Sequence, residues 1–562
     1  MKQSKKISKL LINKDTSLQS ALKIIEQGEE RICFLIDENN RLIHTVSDGD
    51  IRRALIRGLN LKDKVSKMKL RKPTTIKKGL NLSEIKKKFN SRVNIIPEID
   101  NEGVITGLFK QKNINNFLDI KSKDVLIIGL GYVGLTLALV LADNGYVVHG
   151  YDHDKELRNK IKKKIPPFYE KGMQDLLDTQ VGQNFKIVDN IKNLDPDIYI
   201  ISVGTPFDFK KKKPNISYFQ KSIERISKNL KVNDLVILRS TVPVGVSRNI
   251  AKTILEKNSN LKVGENLFLA YCPERTAEGQ AIHELTNLPQ IVGGFCEKST
   301  ELASRFFNEY THTIIDVNDL ESSEMCKLLD NTYRDTIFAY SNQMALLSEK
   351  IGLNLSQLID KVNIGYERNK IPKPSPGVGG PCLTKDPYIL NYNFKKAGLR
   401  ADVSMSARKI NELMVYSIVK KVKRFLKNTN KNIKTSKIFI LGLSFKGNPE
   451  TSDTRGSSSI DLIEIFKKKE KCKNIFLHDP IIKDKEKNHL GYKIIDLEKG
   501  FSKADVAIFM TNHNFYKDLK IVRLISQMSK PSLVFDTWQI FDSSKIQSYS
   551  HINYTSIGQD LN

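Results

Sequence analysis

The chain has 562 residues, of which 40% are hydrophobic and 27% are charged, and its formal net charge is +28 at pH 7. This length exceeds what one hydrophobic core supports, so about three or four domains are expected, and the composition is that of a globular protein rather than a disordered one. The lysines are spread over the whole chain without an interleaved aromatic platform, which favours a solvated basic surface over nucleic-acid binding.

The six cysteines are scattered, without a CxxC pair or clustered histidines. This pattern disfavours a metal site and a disulfide framework, and it favours a reducing, cytoplasmic compartment.

Residues 1–120 are predicted to form a separate unit that contains a repeat. Residues 31–58 indicate a strand, a turn, a second strand and a helix from about Asp48, and residues 92–118 repeat this pattern more weakly. The repeat resembles a pair of CBS modules, which bind adenine nucleotides between their halves. The resemblance implies that Ser47 and Asp50 hold a nucleotide, with Lys110 and Asn113 at the corresponding positions of the second copy. We expect either nucleotide regulation or a structural and assembly role.

Residues 122–318 alternate between apolar strands and helical stretches, which is typical of a doubly wound parallel sheet. The predicted strands are 125–130, 146–151, 197–203, 234–239 and 266–271. The first of them opens a stretch of 18 uncharged residues, 125–142, which is the length of a transmembrane segment. Its three glycines instead favour a buried strand, a turn and a buried helix, so no membrane insertion is expected.

The first predicted turn carries the spacing Gly129-x-Gly131-x-x-Gly134 between a strand and a helix. In that context the glycines allow a tight turn, approach of a pyrophosphate and close helix–strand packing. Asp152 follows the second strand, where a carboxylate accepts hydrogen bonds from ribose hydroxyls. The motif therefore predicts a site for NAD rather than NADP.

Residues 319–430 are predicted to form a central helical, dimerisation domain. Asp319 to Lys350 contains no Gly or Pro and is followed by Gly352, which indicates one long helix. The loop "PSPGVGGPCLTKDP" then places a single thiol, Cys382, among prolines and glycines. Residues 431–562 are predicted to form a second Rossmann-like domain with strands in "KIFILGL", "NIFLHDP", "ADVAIFM" and "SLVFDTW".

Ligands of doubly wound sheets bind beyond the carboxyl ends of the strands. Hydroxyl and carboxyl side chains follow the predicted strands of the first sheet at Thr205, Thr241, Glu274 and Glu278. On the long helix, Lys327 and Asn331 are four residues apart and therefore share a face. These positions predict a polar site at the strand ends.

Six motifs occur in order: "GLGYVGL", "STVPVG", "PERTAEG", "EMCKLLDNTYRD", "PGVGGPCLTKDP" and "LSFKGNPETSDTRGSSS". Together they resemble the UDP-sugar 6-dehydrogenase family from about residue 122 to the end. The resemblance implies two Rossmann-like domains joined by a long central helix. It also implies NAD-dependent, four-electron oxidation of C6 of a UDP-sugar to a carboxylate.

In such a reaction a thiolate adds to the intermediate aldehyde, and the resulting thioester is cleaved by water. The resemblance implies these catalytic residues: Cys382, Lys327, Asn331, Asp386, Glu278 and Thr241. It implies these cofactor-binding residues: Gly129, Gly131, Tyr132, Val133, Gly134, Asp152, Thr205, Thr241 and Arg455. It implies these substrate-binding residues: Glu274, Lys327, Asn331, Arg368, Gly379 and Lys446. Which of Asp386 and Glu278 is the general base stays open.

Arg368 corresponds to an arginine that family members present to the substrate of the neighbouring subunit, which implies at least a homodimer. The stretch "PERTAEGQAIHELTNLPQIVGG" is similar to the branch that acts on UDP-N-acetylhexosamines, GlcNAc or ManNAc, in the synthesis of surface-polysaccharide precursors. UDP-glucose is the alternative substrate. Two other possibilities are a non-catalytic nucleotide sensor and a two-electron dehydrogenase, neither of which requires the thiol.

Overall fold

The computed structural model describes residues 10–27, 32–70, 72–77, 88, 93–100, 102–110, 123–368, 370–482 and 494–560. The chain divides into two compact units, Met1–Ile120 and Lys121–Asn562. Each unit is described by itself.

The N-terminal unit contains two three-stranded sheets of the same design. Its strands and helices are β1 (Leu11–Ile12), α1 (Leu18–Gln27), β2 (Ile32–Ile36), β3 (Leu42–Ser47), α2 (Asp48–Ile56), β4 (Ile76–Lys77), β5 (Ile95–Ile99) and β6 (Ile105–Lys110). In each sheet the first pair of strands is parallel and the second pair is antiparallel, with an irregularity at the same point. The sequence repeat is therefore a structural repeat. Asn113 and the side chain of Lys110 lie outside the described residues.

The larger unit begins with an eight-stranded sheet. Its strands are β7 (Val125–Ile128), β8 (Val148–Tyr151), β9 (Phe185–Ile187), β10 (Ile198–Ile201), β13 (Leu235–Leu238), β14 (Phe268–Tyr271), β15 (Gln290–Gly294) and β16 (Ile314–Asp316), and a hairpin of β11 (Phe207–Asp208) and β12 (Lys213–Pro214) lies outside it. The order is β16-β15-β14-β13-β10-β7-β8-β9, and only the β14–β15 pair is antiparallel. The first six strands thus have the Rossmann order, and the predicted doubly wound sheet is confirmed.

Helices connect these strands. They are α3 (Tyr132–Asp143), α4 (Lys155–Lys162), α5 (Met173–Gln180), α6 (Ser217–Ile226), α7 (Lys252–Ser259), α8 (Ala281–Asn287) and α9 (Glu297–Asn308). All four residues of β7 are buried, and so is every residue of α3 from Gly134 to Ala142. The uncharged stretch is apolar because both the strand and the helix are buried in the protein core. In the described ranges, no helix has the length and apolarity needed to cross a bilayer.

The long helix α10 (Leu320–Lys350) has 31 residues. Asp319 caps its first turn by accepting the backbone N–H of Ser322 at 2.7 Å, and Gly352 follows its end with a φ of +75°. The next helices are α11 (Leu355–Val362), α12 (Asp386–Lys396) and α13 (Asp402–Asn428). Helices α12 and α13 both pack against α10, so α10 connects the loops of the first sheet to the segment that carries Cys382.

The C-terminal sheet is entirely parallel, in the order β18-β17-β19-β20-β21. Its strands are β17 (Lys437–Leu441), β18 (Asn474–His478), β19 (Val506–Phe509), β20 (Ser532–Asp536) and β21 (Ile552–Ser556). The helices of this part are α14 (Ser458–Glu464), α15 (Leu497–Phe501), α16 (Asn514–Lys517), α17 (Ile521–Ile525) and α18 (Ser543–Gln547). The four predicted strands are present, and β21 is a fifth that the sequence patterns did not single out.

Candidate active site

The glycine turn after β7 has the geometry that a dinucleotide needs. Gly129 has a φ of +95°, and a β-carbon on Gly134 would lie 1.8 Å from the carbonyl oxygen of Gly129. A β-carbon on Gly131 would meet no protein atom within 4 Å. The first and third glycines are therefore required by the turn and by packing, while the second leaves room for a phosphate at the N-terminus of α3. Val133 lies half-buried in that first turn.

Asp152 lies at the end of β8, beside this turn. Its carboxylate accepts the backbone N–H of Leu130 at 2.7 Å and that of Asp154 at 2.9 Å. Each of its oxygens can accept a further hydrogen bond, as a ribose hydroxyl requires. The residues around the turn thus fit NAD.

Tyr132 and Thr205 connect the turn to neighbouring loops. The ring of Tyr132 stacks on Phe168 with 3.7 Å between centroids, and the guanidinium of Arg455 lies 5.5 Å from the Tyr132 centroid. The buried hydroxyl of Thr205 donates to the carbonyl oxygen of Thr241, whose own side chain is half-buried. The structure therefore brings together the loops that follow β10 and β13.

Glu274 is part of a buried ion pair. Arg239 donates from Nη2 to Glu274 Oε2 and from Nη1 to Gln290 at 3.0 Å, and the Arg239 side chain has no exposed surface. The other carboxylate oxygen accepts the backbone N–H of Arg275 and of Thr276. Although burial alone would raise the pKa of Glu274, Arg239 and these donors hold it below its ordinary value. The carboxylate of Glu274 is therefore ionised and fully engaged by protein groups.

Lys327 and Asn331 project from α10 into the protein rather than into solvent, and both are buried. Lys327 donates from Nζ to the carbonyl oxygen of Glu274. Asn331 donates from Nδ2 to Asp386 Oδ2 at 2.5 Å, and its own oxygen accepts Arg334. One face of α10 therefore contacts both the acidic loop after β14 and the helix that follows Cys382.

Cys382 lies in the last turn before α12. Its carbonyl oxygen accepts the backbone N–H of Lys385 at 3.1 Å and of Asp386 at 2.9 Å, so the start of the helix fixes the cysteine backbone. Part of Cys382 is open to solvent. Protein atoms crowd its thiol and Asp386 lies nearby, and together they raise the pKa of Cys382 above its ordinary value, while Lys327 and Lys385 oppose the shift.

The glycines before Cys382 are required by close packing against the C-terminal part. A β-carbon on Gly379 would lie 2.5 Å from the carbonyl oxygen of Gly456, and one on Gly380 would lie 2.8 Å from the ring of Phe445. Gly377 has a φ of +115°. The side-chain-poor sequence of this loop thus follows from its contacts with residues 445–456.

Glu278 lies in a second cluster with Lys446 and Arg455. Burial, then the neighbouring carboxylate of Asp453, raise the pKa of Glu278, although Arg455 and Lys446 oppose this. Glu278 Oε1 lies 3.7 Å from Arg455 Nη2, and Oε2 has no hydrogen-bond partner among the described residues. Arg455 itself forms a two-pronged ion pair with Asp453. The Glu278 side chain is 16% exposed, so most of this carboxyl is shielded from water.

Within the larger unit, one predicted position lies apart from these clusters. Arg368 is exposed after α11, with its guanidinium 5.8 Å from the ring centroid of Tyr366. In the N-terminal unit, Ser47 and Asp50 bond to each other: Ser47 Oγ donates to Asp50 at 2.6 Å, and Asp50 N–H donates to Ser47 at 3.2 Å. This pair forms a capping box at the start of α2.

Sequence patterns did not identify three charged residues that support the site. Lys385 donates to Asp386 at 2.6 Å. Its position next to Asp386 in the motif "CLTKDP" was the only sequence feature that could have indicated this role. Glu324 is buried on α10 and accepts the backbone N–H of Gly245 at 2.6 Å and of Ser247 at 2.8 Å, at the start of the helical segment that follows Thr241. Arg239 had no signal, because an arginine at the end of a buried strand is not itself a motif.

Three domain descriptions of one family match the larger unit. The UDP-glucose/GDP-mannose dehydrogenase family matches with its NAD binding domain at residues 123–311, its central domain at 321–413 and its UDP binding domain at 439–543. A CBS domain matches residues 8–57.

Individual proteins give the same result. A UDP-N-acetyl-D-mannosamine dehydrogenase of Campylobacter jejuni is 31% identical over 411 residues, which are 72% of this chain and 98% of that protein. An NDP-N-acetyl-D-galactosaminuronic acid dehydrogenase of Ralstonia nicotianae is 29% identical over 76% of this chain and 99% of its own. The solved structure of the UDP-D-ManNAc dehydrogenase from Pyrococcus horikoshii superposes with a TM-score of 0.70 and 28% identity, covering 78% of this chain and 99% of that one.

Proposed function

The chain belongs to the UDP-glucose/GDP-mannose dehydrogenase family and is an NAD-dependent UDP-sugar dehydrogenase, and from this premise we propose that it oxidises C6 of a UDP-N-acetylhexosamine to the carboxylate through the thiol of Cys382. The observation that carries the proposal is the grouping around that thiol. Lys327, Asn331 and Asp386 come from α10 and α12, and the latter two share a hydrogen bond of 2.5 Å in the buried wall beside Cys382.

The thiol explains how the reaction passes the aldehyde. When bound at the glycine turn after β7, NAD⁺ would supply the hydride acceptor for both oxidations of C6. Between them, the sulfur of Cys382 forms a bond to the aldehyde carbon while the carbonyl electrons move to its oxygen. Loss of the second hydride gives a thioester, and water cleaves it, releasing the carboxylate and the thiolate. Lys327 and Asn331 stabilise the negative oxygen as donors, a contribution of about 3–4 kcal/mol for one such donor.

The two candidate bases have different surroundings. Asp386 is ion-paired with Lys385 and bonded to Asn331, which suits a carboxylate that orients its neighbours. The raised pKa of Glu278 suits a group that accepts and returns a proton near neutral pH. We therefore assign proton transfer to Glu278, and the positioning of the hydrolytic water to Thr241 together with Asp386.

The names of the relatives favour UDP-N-acetyl-D-mannosamine as the substrate, since those with this name are 31–32% identical over 70–76% of the chain. The alternatives are UDP-GlcNAc, UDP-GalNAc and UDP-glucose. Comparing kcat/KM for these four substrates tests the assignment. The highest value with UDP-glucose would refute it, whereas the highest value with UDP-ManNAc would support it.

The stoichiometry tests the four-electron reaction itself. We expect two NADH per UDP-sugar consumed, and no acid from Cys382→Ala. The matched control is Cys326→Ala, which removes a half-buried thiol next to Lys327 on α10 and is expected to keep full stoichiometry. One NADH per sugar in the unmodified enzyme, or acid formation by Cys382→Ala, would contradict the proposal.

The exposed face of α10 supports the homodimer. Large apolar side chains at Leu329, Tyr333, Tyr340 and Leu347 are 52–67% exposed and follow helical spacing along this face. A second copy of the chain packed on it would bury this stripe and bring Arg368 to the neighbouring substrate site. Light scattering of the native enzyme and of Tyr340→Glu tests this, and a monomeric native enzyme would exclude it.

The N-terminal unit keeps two alternatives, and the contacts favour the structural one. Ser47 and Asp50 already use their hydrogen-bonding groups on each other, and Asp50 also binds Arg53 at 2.6 Å. Titration of AMP or ATP into the dehydrogenase assay distinguishes the two roles. A change in rate or in substrate affinity would establish nucleotide regulation.

A further inference from the structure

The segment that carries Cys382 has few side chains of its own to fix it, but one buried arginine holds it from both sides. Arg408 on α13 donates from Nη2 to the carbonyl oxygen of Val378 at 2.9 Å and from Nη1 to that of Leu383 at 3.1 Å. These carbonyls lie four residues before the thiol and one residue after it. The Arg408 side chain is 3% exposed.

Asp335 orients this arginine. Its Oδ1 accepts Arg408 Nη1 at 2.7 Å and Asn411 Nδ2 at 2.8 Å, and the Asp335 side chain is 1% exposed. Asp335 lies on α10 one helical turn after Asn331, so the two residues share a face. The helix that presents Lys327 and Asn331 therefore also holds, through Arg408, the backbone that presents the thiol.

A guanidinium is required for this arrangement. Its planar fork satisfies two carbonyl oxygens and one carboxylate at fixed angles, which the compact ammonium of a lysine does not reproduce. A buried ion pair is a poor source of stability compared with apolar packing. The contacts of Arg408 converge on the two flanks of Cys382, which points to the geometry of the loop rather than to stability alone.

We propose that Arg408, oriented by Asp335, is a positioning residue that sets the approach of the Cys382 sulfur to the C6 aldehyde; this rests on the proposed four-electron reaction. The first hydride transfer makes no bond to sulfur and does not need this geometry. The second oxidation requires that the sulfur–carbon bond form before the aldehyde leaves. Displacement of the loop therefore slows capture of the aldehyde and leaves the first oxidation and UDP-sugar binding nearly unchanged.

The test is the fate of the aldehyde in Arg408→Lys. With hydroxylamine present as a trap, we expect the unmodified enzyme to form two NADH per UDP-sugar consumed and the variant to approach one, with oxime in place of acid. We expect kcat for acid formation to fall about 10- to 100-fold, as for reacting groups displaced by about 1 Å. We expect KM to change less than about threefold, since the substitution leaves the expected substrate-binding residues Lys446 and Asn331 in place.

Two further variants separate positioning from folding. Arg424→Lys, on the same helix in an exposed pair with Asp560, is the matched control and is expected to behave as the unmodified enzyme. Asp335→Asn keeps an oxygen for Arg408 and Asn411, and it is expected to release aldehyde to a smaller extent even if Arg408→Lys does not fold. Melting temperatures of all variants report folding.

The outcomes are distinguishable. If the unmodified enzyme forms only one NADH per sugar, the proposed function fails. The positioning role is overturned if the unmodified enzyme, Asp335→Asn and a folded Arg408→Lys all form two NADH per UDP-sugar and no oxime. In that case the proposed function is unaffected. An equal loss of the first and second oxidations would likewise overturn the positioning role.

Discussion

The buried pair of Arg239 and Glu274 gives a prediction whose size depends on pH. In Arg239→Met the carboxylate of Glu274 loses the guanidinium that pairs with it, at a position where the Arg239 side chain has no exposed surface. Two backbone donors and Lys327 remain, but without the arginine at its second oxygen we expect this buried carboxyl to take up a proton instead of remaining charged. The folded variant would then bind one proton more than the unfolded chain near neutral pH.

The penalty follows from the ordinary pKa of this glutamate, 4.5. Holding a proton at about pH 7.5 costs about 4 kcal/mol, because each of about three pH units contributes 1.36 kcal/mol. This agrees with the roughly 3–5 kcal/mol seen when one partner of a buried pair is removed. At about pH 5.5, holding the proton costs only about 1.4 kcal/mol. Because Glu274 stays ionised in the unmodified enzyme at both pH values, the deficit in the free energy of unfolding of Arg239→Met should shrink by about 2.7 kcal/mol between about pH 7.5 and about pH 5.5.

Urea denaturation followed by far-ultraviolet circular dichroism at these two pH values measures the effect. Because the catalytic unit contains several domains, the midpoint of the first transition is the quantity to compare. The matched control is Arg248→Met, which breaks the pair with Glu321, whose two side chains are 38% and 31% exposed. A partly exposed pair of this kind contributes about 1 kcal/mol or less.

Two results would contradict this prediction: Arg239→Met being no less stable than Arg248→Met, or a loss of stability that is equal at both pH values. The double variant Arg239→Met/Glu274→Gln provides the converse check. The amide keeps an oxygen for the backbone N–H groups of residues 275 and 276 without a charge, so most of the lost stability should return at about pH 7.5.

Four further results are expected. Asn331→Ala should lower kcat about 100- to 1000-fold through loss of one oxyanion donor, and a reduction below tenfold in steady-state assays would argue against that role. Asp152→Ser should raise kcat/KM for NADP relative to NAD, measured with both cofactors, and unchanged selectivity would remove Asp152 from the ribose site. The rate of Cys382 alkylation by iodoacetamide should keep rising above pH 9, since the pKa of this thiol is raised. Asp386→Asn should lower that pKa and so increase the alkylation rate at pH 8, and a slower rate in this variant would contradict the prediction. Gly134→Ala should abolish NAD binding in calorimetry, because its β-carbon meets the carbonyl oxygen of Gly129; retained binding by a folded variant would contradict this.

The spacing of apolar residues and the positions of glycine and proline were enough to predict the architecture. Strands such as β7 and β13 are continuous apolar runs, because a sheet covered on both faces buries every residue. Helix α10 was predicted to within one residue from the absence of Gly and Pro and from Gly352. These signals are local, and the sequence displays them directly. Strand β21 was not predicted because its polar residues Asn553 and Thr555 interrupt what would otherwise be a run of apolar residues. In the structure it pairs with β20 at the edge of the sheet.

The site was predicted less completely, because its contacts join residues that are distant in sequence. The bond between Asn331 and Asp386 spans 55 positions, and the one between Lys327 and the Glu274 carbonyl spans 53. The family resemblance pointed to these residues without showing that they touch. Arg408 lies in the interior of an unremarkable helix, where neither spacing nor neighbouring residues marked it. Only the packing of α13 on α10 reveals it.

The contacts between Tyr132 and Arg455 have a consequence for a dehydrogenase that uses two coenzyme molecules per sugar. Arg455 lies over the Tyr132 ring at 5.5 Å, and the backbone N–H of Tyr169 donates to Ser452 Oγ at 3.2 Å in the same segment of the C-terminal part. Contacts of this kind contribute about 1 kcal/mol each. These contacts share no residue with the hydrogen bonds from Arg408 to the carbonyl oxygens of Val378 and Leu383, so loosening the first set would leave the thiol loop held.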